Sequence, residues 1–223
     1  MSVLVVAIDG PAGAGKSSAS RGLAARLGFR HVDTGAMYRV VGVLARDAGV
    51  APDDDEALRR LVDGIVFDEV GDRVVIAGRD LTRAIREGDA GDWASKVSTR
   101  PVVRERLVAL QRRLGDGGRV VMEGRDIGTV VFPDAAVKVF LVAAPSERAR
   151  RRGAELRQRG EAVDEAALAA AIAQRDERDS SRAEAPLRPA DDAVVVDTTA
   201  LGLDEVVDRL SALVQPHLDR EPG

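Results

Sequence analysis

The residues with the clearest chemical meaning lie near the amino terminus. Positions 10–17 have the sequence GPAGAGKS, which fills every fixed position of the pattern G-x-x-x-x-G-K-[ST]. An apolar run, 3–8, precedes this segment, and a helix-like stretch, 18–27, follows it. In this setting the glycines let successive backbone N–H groups point at one anion, and the helix adds the positive end of its dipole. The pattern predicts a loop that binds the phosphates of a nucleoside triphosphate.

Two side chains of this loop have defined tasks in the pattern. Lys16 can reach the outer phosphates of the nucleotide, and the Ser17 hydroxyl can bind Mg²⁺. A glycine-rich turn without a ligand is the alternative, but it does not explain why the full pattern lies between a strand and a helix. We predict contacts to the nucleotide from Gly10, Pro11, Ala12, Gly13, Ala14, Gly15, Lys16, Ser17 and Ser18.

Composition narrows the classes of protein further. The 223 residues suffice for one domain with small insertions, and they include no cysteine, so disulfides and thiolate metal sites are excluded. His31 and His217 lie in no metal-binding pattern. The net charge of −4 disfavours nucleic acid as a partner, and the apolar run 3–8 is too short for a signal peptide or a membrane span. We expect a cytoplasmic protein that binds neither membranes nor nucleic acid.

Arginine supplies nearly all of the positive charge. Lysine occurs three times, so 30 of the 33 basic residues are arginine. This skew indicates a general preference for arginine codons, and residue type alone therefore says little about what one arginine does. A concentrated run lies at 149–162, where Gly153 and Gly160 are candidate hinges of an insertion.

Apolar runs and helical patterns alternate along the chain, which predicts an α/β fold with a parallel sheet between helices. The predicted strands are rich in valine and isoleucine, as strands buried on both faces should be. They are 3–8, 30–32, 120–123, 137–142 and 193–196. The predicted helices are 17–27, 35–48, 102–114, 146–159, 164–178 and 204–214.

Residues 50–100 interrupt this alternation. They contain a short helical pattern, 54–62, and two apolar runs, 65–67 and 74–76, joined by a turn at 70–73. The two runs predict an antiparallel hairpin inserted into the α/β fold.

Three polar clusters come after predicted strands or close a predicted helix. DTGAMYR at 33–39 follows the second strand, EGRD at 123–126 ends the third, and RDERDSSR at 175–182 closes a helix. Because ligands bind at the carboxyl edge of such sheets, we expect these clusters to converge on one cleft. An enzyme that brings two phosphorylated molecules together needs this neutralising charge, and no N-K-x-D guanine motif of a GTPase is present, so a small kinase is favoured.

These motifs together resemble those of the bacterial cytidylate kinases, which belong to the nucleoside monophosphate kinase family. The longest and most specific of them is EGRDIGTVVFPDA at 123–135. Glu123 stands where relatives often have aspartate, and its role stays open. The resemblance covers nearly the whole chain, from Val3 to about Leu213.

The resemblance implies a P-loop NTPase core with a five-stranded parallel sheet, all within one kinase domain spanning 1–223. It adds an inserted CMP-binding subdomain at 34–100 and a mobile lid at 149–162. It also implies that the enzyme transfers the γ-phosphoryl group of ATP, with Mg²⁺, to CMP or dCMP and uses UMP poorly.

The resemblance assigns roles to individual residues as well. Arg39 and Arg125 match positions that hold the acceptor phosphate, for which the forked guanidinium is suited. The Asp126 carboxylate would accept a hydrogen bond from the exocyclic amine of cytosine, a donor that uracil lacks. The other cytosine positions are Ser95, Arg104 and Arg182, the ribose positions are Arg175 and Asp179, and Asp33, Thr34 and Tyr38 complete the acceptor set. The catalytic set is Lys16, Arg39, Arg125, Arg151 and Arg157.

Several of these residues have structural alternatives. Asp33 could cap the next helix instead of orienting the acceptor or a Mg²⁺-bound water, and Ser95 could cap a helix. Arg104 could lie on an exposed helix face. Arg175 and Asp179 are four residues apart and could form a plain ion pair.

The sequence leaves open what the arginines in and just before 149–162 contact. Arg148, Arg151 and Arg157 are candidates to contact the transferring phosphoryl group. The alternative is a solvated helix in which Glu147 and Glu155 pair with these arginines.

Two other functions remain open from the residues alone. A shikimate-type or other small-metabolite kinase is disfavoured because the cluster 33–35 lacks a second aspartate. A nucleotide switch or RNA-binding accessory protein is disfavoured by the acidic balance and by the few aromatic residues for stacking. We expect a monomer, because such a kinase needs free domain motion.

Overall fold

A computed structural model describes residues 4–70, 73–182 and 184–218. The strands are β1 (Leu4–Asp9), β2 (Arg30–Asp33), β3 (Phe67–Val70), β4 (Val74–Ile76), β5 (Arg79–Asp80), β6 (Arg119–Glu123), β7 (Val137–Val142) and β8 (Val194–Asp197). The α-helices are α1 (Lys16–Leu27), α2 (Thr34–Asp47), α3 (Asp55–Asp63), α4 (Ala90–Val97), α5 (Pro101–Gly115), α6 (Pro145–Gln158), α7 (Glu165–Ser180) and α8 (Leu203–Leu218).

The chain divides into two compact units. Unit 1 comprises Met1–Arg30 and Gly118–Gly223, and unit 2 comprises His31–Gly117. No helix within 4–70, 73–182 or 184–218 is long and apolar enough to cross a bilayer.

The main sheet has five strands in the order β2-β6-β1-β7-β8. The pairs β1–β6, β1–β7 and β7–β8 are parallel, which confirms the predicted α/β class. All six residues of β1 are buried, as expected for the central strand. The expectation of burial on both faces is wrong for β8, where Val194 and Val195 are 44% and 55% exposed because this strand is at the edge of the sheet.

The hydrophobic core of unit 1 fixes β1 and α1, the two elements on either side of the predicted phosphate loop. Ile8 and Leu23 are fully buried in this core together with Leu141 and Leu210. Helix α1 packs closely on α8, because a Cβ at Gly22 would lie 2.9 Å from a methyl group of Val207. The loop therefore starts and ends on rigid elements.

Unit 2 has its own core and a small sheet of the order β3-β4-β5. β3 pairs with β4 in antiparallel orientation, which confirms the predicted hairpin, but its first strand is Phe67–Val70 and not the predicted run 65–67. Residues 71 and 72 of the predicted turn lie outside the described residues. Strand β5 and helix α4 were not predicted, because β5 is two exposed charged residues and α4 is only eight residues long. Backbones of α2 and α4 approach closely, since a Cβ at Gly42 would lie 2.9 Å from the Ala94 nitrogen.

The predicted helices agree with the structure at most boundaries to within two residues. The exception is α8, which continues to Leu218 and so includes Pro216 in its last turn. β1 is described from Leu4, because Val3 lies outside the described residues.

Candidate active site

The predicted phosphate loop connects β1 to α1, and its backbone requires glycine. Gly10 has a φ of +144°, and a Cβ there would lie 2.1 Å from the carbonyl oxygen of Leu141. Gly15 has a φ of +87° and immediately precedes α1, and as the capping residue it offers no side-chain acceptor to the first N–H groups of the helix. These N–H groups and the helix dipole are therefore suited to an anion.

Lys16 is buried at the start of α1. Its Nζ donates a hydrogen bond of 2.6 Å to the Pro11 carbonyl within the same loop. Burial lowers the pKa of Lys16 well below its ordinary value, and the positive charge of Arg125 lowers it further, while Glu123 opposes this effect. A phosphate bound here would stabilise the charged form of the lysine.

Ser17 and Glu123 form the oxygen-rich part of the site. The Ser17 hydroxyl donates a hydrogen bond of 2.7 Å to Oε2 of Glu123. Glu123 is buried at the end of β6, and it pairs in register with Ile8 near the end of β1. A hydroxyl beside a carboxylate matches the ligand preference of Mg²⁺. The role of Glu123 was left open by the sequence, although its place at the carboxyl end of a predicted strand was visible; that this strand lies next to β1 is seen only in the fold.

Asp179 lies at the centre of a group of arginines. Its Oδ1 is 2.6 Å from Nη2 of Arg182, and its Oδ2 is 3.2 Å from Nε of Arg125 and 3.9 Å from Nε of Arg175. Burial alone would raise the pKa of Asp179, but the three positive charges outweigh burial and lower it. The ion pair of Arg175 with Asp179, named above as a structural alternative, is thus present. The charges of these four side chains sum to +2, which favours a phosphate.

The buried carboxylate of Asp9 holds the turn that follows Asp126. Its two oxygens accept hydrogen bonds of 2.8 Å from the backbone nitrogens of Ile127 and Gly128. These residues begin a one-turn π-helix, Ile127–Val131. Such helices are rare in proteins, and those that occur are often found at functional sites. Asp126 is itself buried, at 5% exposure. Asp9 therefore fixes the backbone next to a predicted base-contacting residue.

Three arginines of α6 have different surroundings. Arg148 is buried and donates to the Ala12 carbonyl of the phosphate loop, with an ion pair of 2.6 Å to Asp176. Arg151 donates to Glu147 and to Thr198. Arg157 is half exposed and pairs with Glu165 at 2.5 Å.

The two glycines predicted as hinges of 149–162 differ in their backbone conformation. Helix α6 continues through Gly153 without interruption, whereas Gly160, with a φ of +78°, follows the helix. Of the two candidate hinges, Gly160 is the one with the left-handed backbone that glycine favours.

A cavity of about 240 Å³ adjoins the phosphate loop in unit 1. Its lining combines loop backbone, two arginines and an apolar wall. The lining residues are Ala14, Gly15, Ser18, Ala19, Glu147, Arg150, Arg151, Thr198, Leu201, Leu203 and Val206.

Several of the predicted acceptor-binding residues lie at the start of helix α2 in unit 2. Asp33 caps α2 by accepting a hydrogen bond of 3.0 Å from the Ala36 nitrogen, as the alternative proposed, and it also pairs with Arg39 at 2.7 Å. Burial would raise the pKa of Asp33, but Arg39 lowers it overall. Thr34 is buried as the first residue of α2, and Tyr38 is partly buried against the core of this unit.

The structural alternatives for Ser95 and Arg104 do not hold. Ser95 lies inside α4 and not at a cap, and its buried hydroxyl has no hydrogen-bond partner among the described residues. Arg104 is 5% exposed and so does not lie on a solvated face of α5. A buried hydroxyl without a hydrogen-bond partner is costly, so the position of Ser95 is suited to a polar contact with a ligand.

Two solved structures with a similar fold are kinases of other small molecules. The structure of a gluconokinase from Sinorhizobium meliloti 1021 superposes with a TM-score of 0.51 at 15% identity, covering 98% of both chains. A shikimate kinase from Bacteroides thetaiotaomicron gives 0.50 at 14% identity, covering 95% of this chain and 98% of that one. These likenesses concern the fold alone, and together with the phosphate loop they define the chain as a protein with the P-loop NTPase fold.

Sequence comparison gives the family. The model of the family described as cytidylate kinase matches residues 6–216. A cytidylate kinase from Geobacter sulfurreducens is 49% identical, covering 99% of this chain and 96% of that protein, and one from Rhodococcus opacus is 50% identical, covering 96% and 95%. The chain belongs to the cytidylate kinase family, whose members are phosphotransferases.

The environment of Asp9 predicts a dependence of stability on pH. Burial, the largest influence, raises its pKa from 3.8 to about 6; Asp126 also raises it, while the two backbone hydrogen bonds and Lys16 lower it. The stability from Asp9 is therefore fully present below about pH 4 and is lost as pH rises through 6, by about 3 kcal/mol. We expect the free energy of unfolding to fall less steeply over this range in Asp9→Asn than in wild type.

Denaturant titrations at several pH values give the two slopes. Equal slopes would contradict the prediction. Because an asparagine can accept only one of the two N–H groups, an NMR titration of the Asp9 carboxyl carbon in the wild type is the independent check. A midpoint near pH 4 would contradict the raised pKa.

Proposed function

We propose that this protein transfers the γ-phosphoryl group of ATP to CMP or dCMP, giving ADP and CDP or dCDP. The observation that carries the proposal is the family match over residues 6–216, which includes the complete phosphate loop and the cluster 123–126. The fold alone does not choose an acceptor, because kinases of other small molecules share it.

The donor nucleotide is proposed to bind at the phosphate loop. Backbone N–H groups at the start of α1 and the Nζ of Lys16 would hold its phosphates. The adjoining cavity, with apolar lining from Leu201, Leu203 and Val206, has the size and character to receive the adenine ring.

Ser17 and Glu123 are the residues proposed to hold Mg²⁺ with ATP. Their contact supports this assignment, since one hydroxyl and one carboxylate leave the remaining positions to phosphate oxygens and water. The bound ion would supply neutralising charge for the phosphates. The protein contributes the fixed position of both oxygen ligands, at the end of β6 and the start of α1.

The acceptor nucleotide is proposed to use the arginine group around Asp179. Arg125 would hold its phosphate, Asp126 the amine of cytosine, and Asp179 with Arg175 the ribose. Arg182 would join the contacts to the base. The further contacts proposed from unit 2 are those of Asp33, Thr34, Tyr38, Arg39, Ser95 and Arg104.

Catalysis is proposed to come from positioning and charge. The attacking oxygen of the acceptor phosphate repels the γ-phosphate, and Lys16, Arg39 and Arg125 would offset this repulsion. Within 149–162, Arg151 and Arg157 are the residues proposed to contact the transferring phosphoryl group. Of these two, Arg151 already lies at the cavity, whereas Arg157 would have to leave its ion pair with Glu165.

An acceptor panel tests the proposed reaction. ADP release from ATP is measured with CMP, dCMP, UMP and AMP, for the wild type and for Asp126→Ala. We expect CMP and dCMP to be the best acceptors. Loss of the Asp126 carboxylate should lower kcat/KM for CMP by about 10²-fold and for UMP much less, because uracil lacks the amine donor.

Two results of the panel would contradict the proposal. Equal rates with all four acceptors, or no rate with CMP, would exclude cytidylate as the acceptor. A CMP-to-UMP ratio unchanged in Asp126→Ala would exclude Asp126 as the base contact.

The proposed metal ligands predict a change in Mg²⁺ dependence. Glu123→Gln keeps the size of the side chain and removes its charge. The ratio of the Kd for ATP without Mg²⁺ to the Kd with Mg²⁺ should therefore be about tenfold smaller than in the wild type. Calorimetric titration of ATP with and without Mg²⁺ measures this, separately from turnover. Identical Mg²⁺ dependence in both proteins would exclude Glu123 as a ligand.

The proposed lid at 149–162 predicts protection on substrate binding. If this segment closes and excludes water from the transferring group, ATP with CMP should slow its amide hydrogen exchange. Mass spectrometry of peptides from α6 measures the rates, and peptides from α8 serve as the reference. Unchanged exchange in 149–162 would contradict the lid.

A further inference from the structure

Thr198 is a buried residue that joins three elements of unit 1. It directly follows β8 and is 2% exposed. Its hydroxyl lies 3.1 Å from the carbonyl oxygen of Ala14, in the phosphate loop, and 3.1 Å from that of Val142, at the end of β7. Nη1 of Arg151, from α6, donates to the same hydroxyl at 3.1 Å, and Nη2 donates to the Thr198 carbonyl at 2.6 Å.

The hydroxyl proton of Thr198 has two carbonyl acceptors within reach, those of Ala14 and Val142. Arg151 has no acceptor atoms, so it must donate, and the proton of Thr198 is left for a carbonyl. Val142 already accepts a hydrogen bond of 2.8 Å from the backbone nitrogen of Thr198. The carbonyl of Val142 is thus held to Thr198 in any case, whereas the contact to Ala14 depends on the hydroxyl, which ties the phosphate loop to the turn after β8.

The contact between the Thr198 hydroxyl and the Ala14 carbonyl lies next to the backbone proposed to bind phosphate. Ala14 precedes Gly15, the left-handed residue before α1, and then Lys16. The guanidinium of Arg151 lies over this point, because a Cβ at Gly15 would be 3.5 Å from Nη1. Ala14, Gly15, Arg151 and Thr198 all line the same cavity. The Thr198 hydroxyl thus contacts both the loop and the arginine.

We propose that Thr198 is a positioning residue for the donor nucleotide, acting through the carbonyl of Ala14 and the guanidinium of Arg151. This inference rests on the proposed binding of ATP at the phosphate loop. Thr198 itself has its hydroxyl satisfied by protein groups and acts on the nucleotide through its two partners.

The neighbouring threonine provides a matched control. The Thr199 hydroxyl accepts a hydrogen bond of 2.9 Å from the Ala144 nitrogen and donates to Asp197 at 2.5 Å. It contacts neither the phosphate loop nor Arg151 in these hydrogen bonds. Thr199→Val therefore removes a hydroxyl from the same turn and tests for a general loss of local stability.

The experiment compares Thr198→Val, Thr198→Ser and Thr199→Val with the wild type. Valine keeps the shape of threonine without the hydroxyl, and serine keeps the hydroxyl. Three quantities are measured: the Kd for ATP by calorimetry, hydrogen exchange in peptides covering 11–17, and steady-state rates with CMP. Loss of one buried hydrogen bond corresponds to about a fivefold change in an equilibrium.

We expect Thr198→Val to raise both the Kd and the KM for ATP about fivefold or more, to speed exchange in 11–17, and to leave the KM for CMP nearly unchanged. Thr198→Ser should restore ATP binding. Thr199→Val should lower the melting temperature without raising the Kd for ATP.

Three results would overturn the inference. These are wild-type ATP affinity and exchange in Thr198→Val, equal losses in Thr198→Val and Thr199→Val, and failure of serine to restore binding. The rate with CMP distinguishes this from the proposed function. A wild type that binds ATP without phosphorylating CMP would overturn the acceptor assignment, while the binding data would still decide the role of Thr198.

Discussion

The structure around the phosphate loop depends on how it accommodates positive charges that are held away from water. Lys16 is buried, and Arg125 and Arg175 are close enough to lower its pKa. Such a group of like charges is costly unless carbonyl and carboxylate oxygens surround it. Asp179 and Glu123 supply part of that compensation, and the +2 charge remaining around Asp179 suits a phosphorylated ligand. The site is therefore arranged for polyanions before any has bound.

The residues that maintain this arrangement come from the carboxyl ends of strands. Asp9 ends β1, Glu123 ends β6, and Thr198 follows β8. Each uses side-chain oxygen to hold another segment: the turn after Asp126, the hydroxyl of Ser17, or the loop at Ala14. Because the strands are parallel, these ends meet at one edge of the sheet, and a rigid edge can position flexible loops accurately.

The features that could be predicted from the sequence are those that a local pattern of residues encodes. The phosphate loop follows from the pattern of eight successive residues, 10–17, and the strands follow from apolar runs that the central sheet buries. Contacts between distant residues had no such signal: Ser17 meets Glu123 across 106 positions, and Arg125 meets Asp179 across 54. In a chain this rich in arginine, residue type could not separate the buried Arg104 from an exposed arginine such as Arg157, and only the fold makes that distinction.

The most direct test of the central claim is binding of a bare phosphate chain. Inorganic tripolyphosphate and ATP are titrated, without Mg²⁺, into the wild type and into Lys16→Met. The account predicts that tripolyphosphate competes with ATP, that both affinities fall as salt rises, and that loss of the lysine weakens both at least about tenfold. Equal affinity of both proteins for ATP, or tripolyphosphate that binds without displacing ATP, would contradict it.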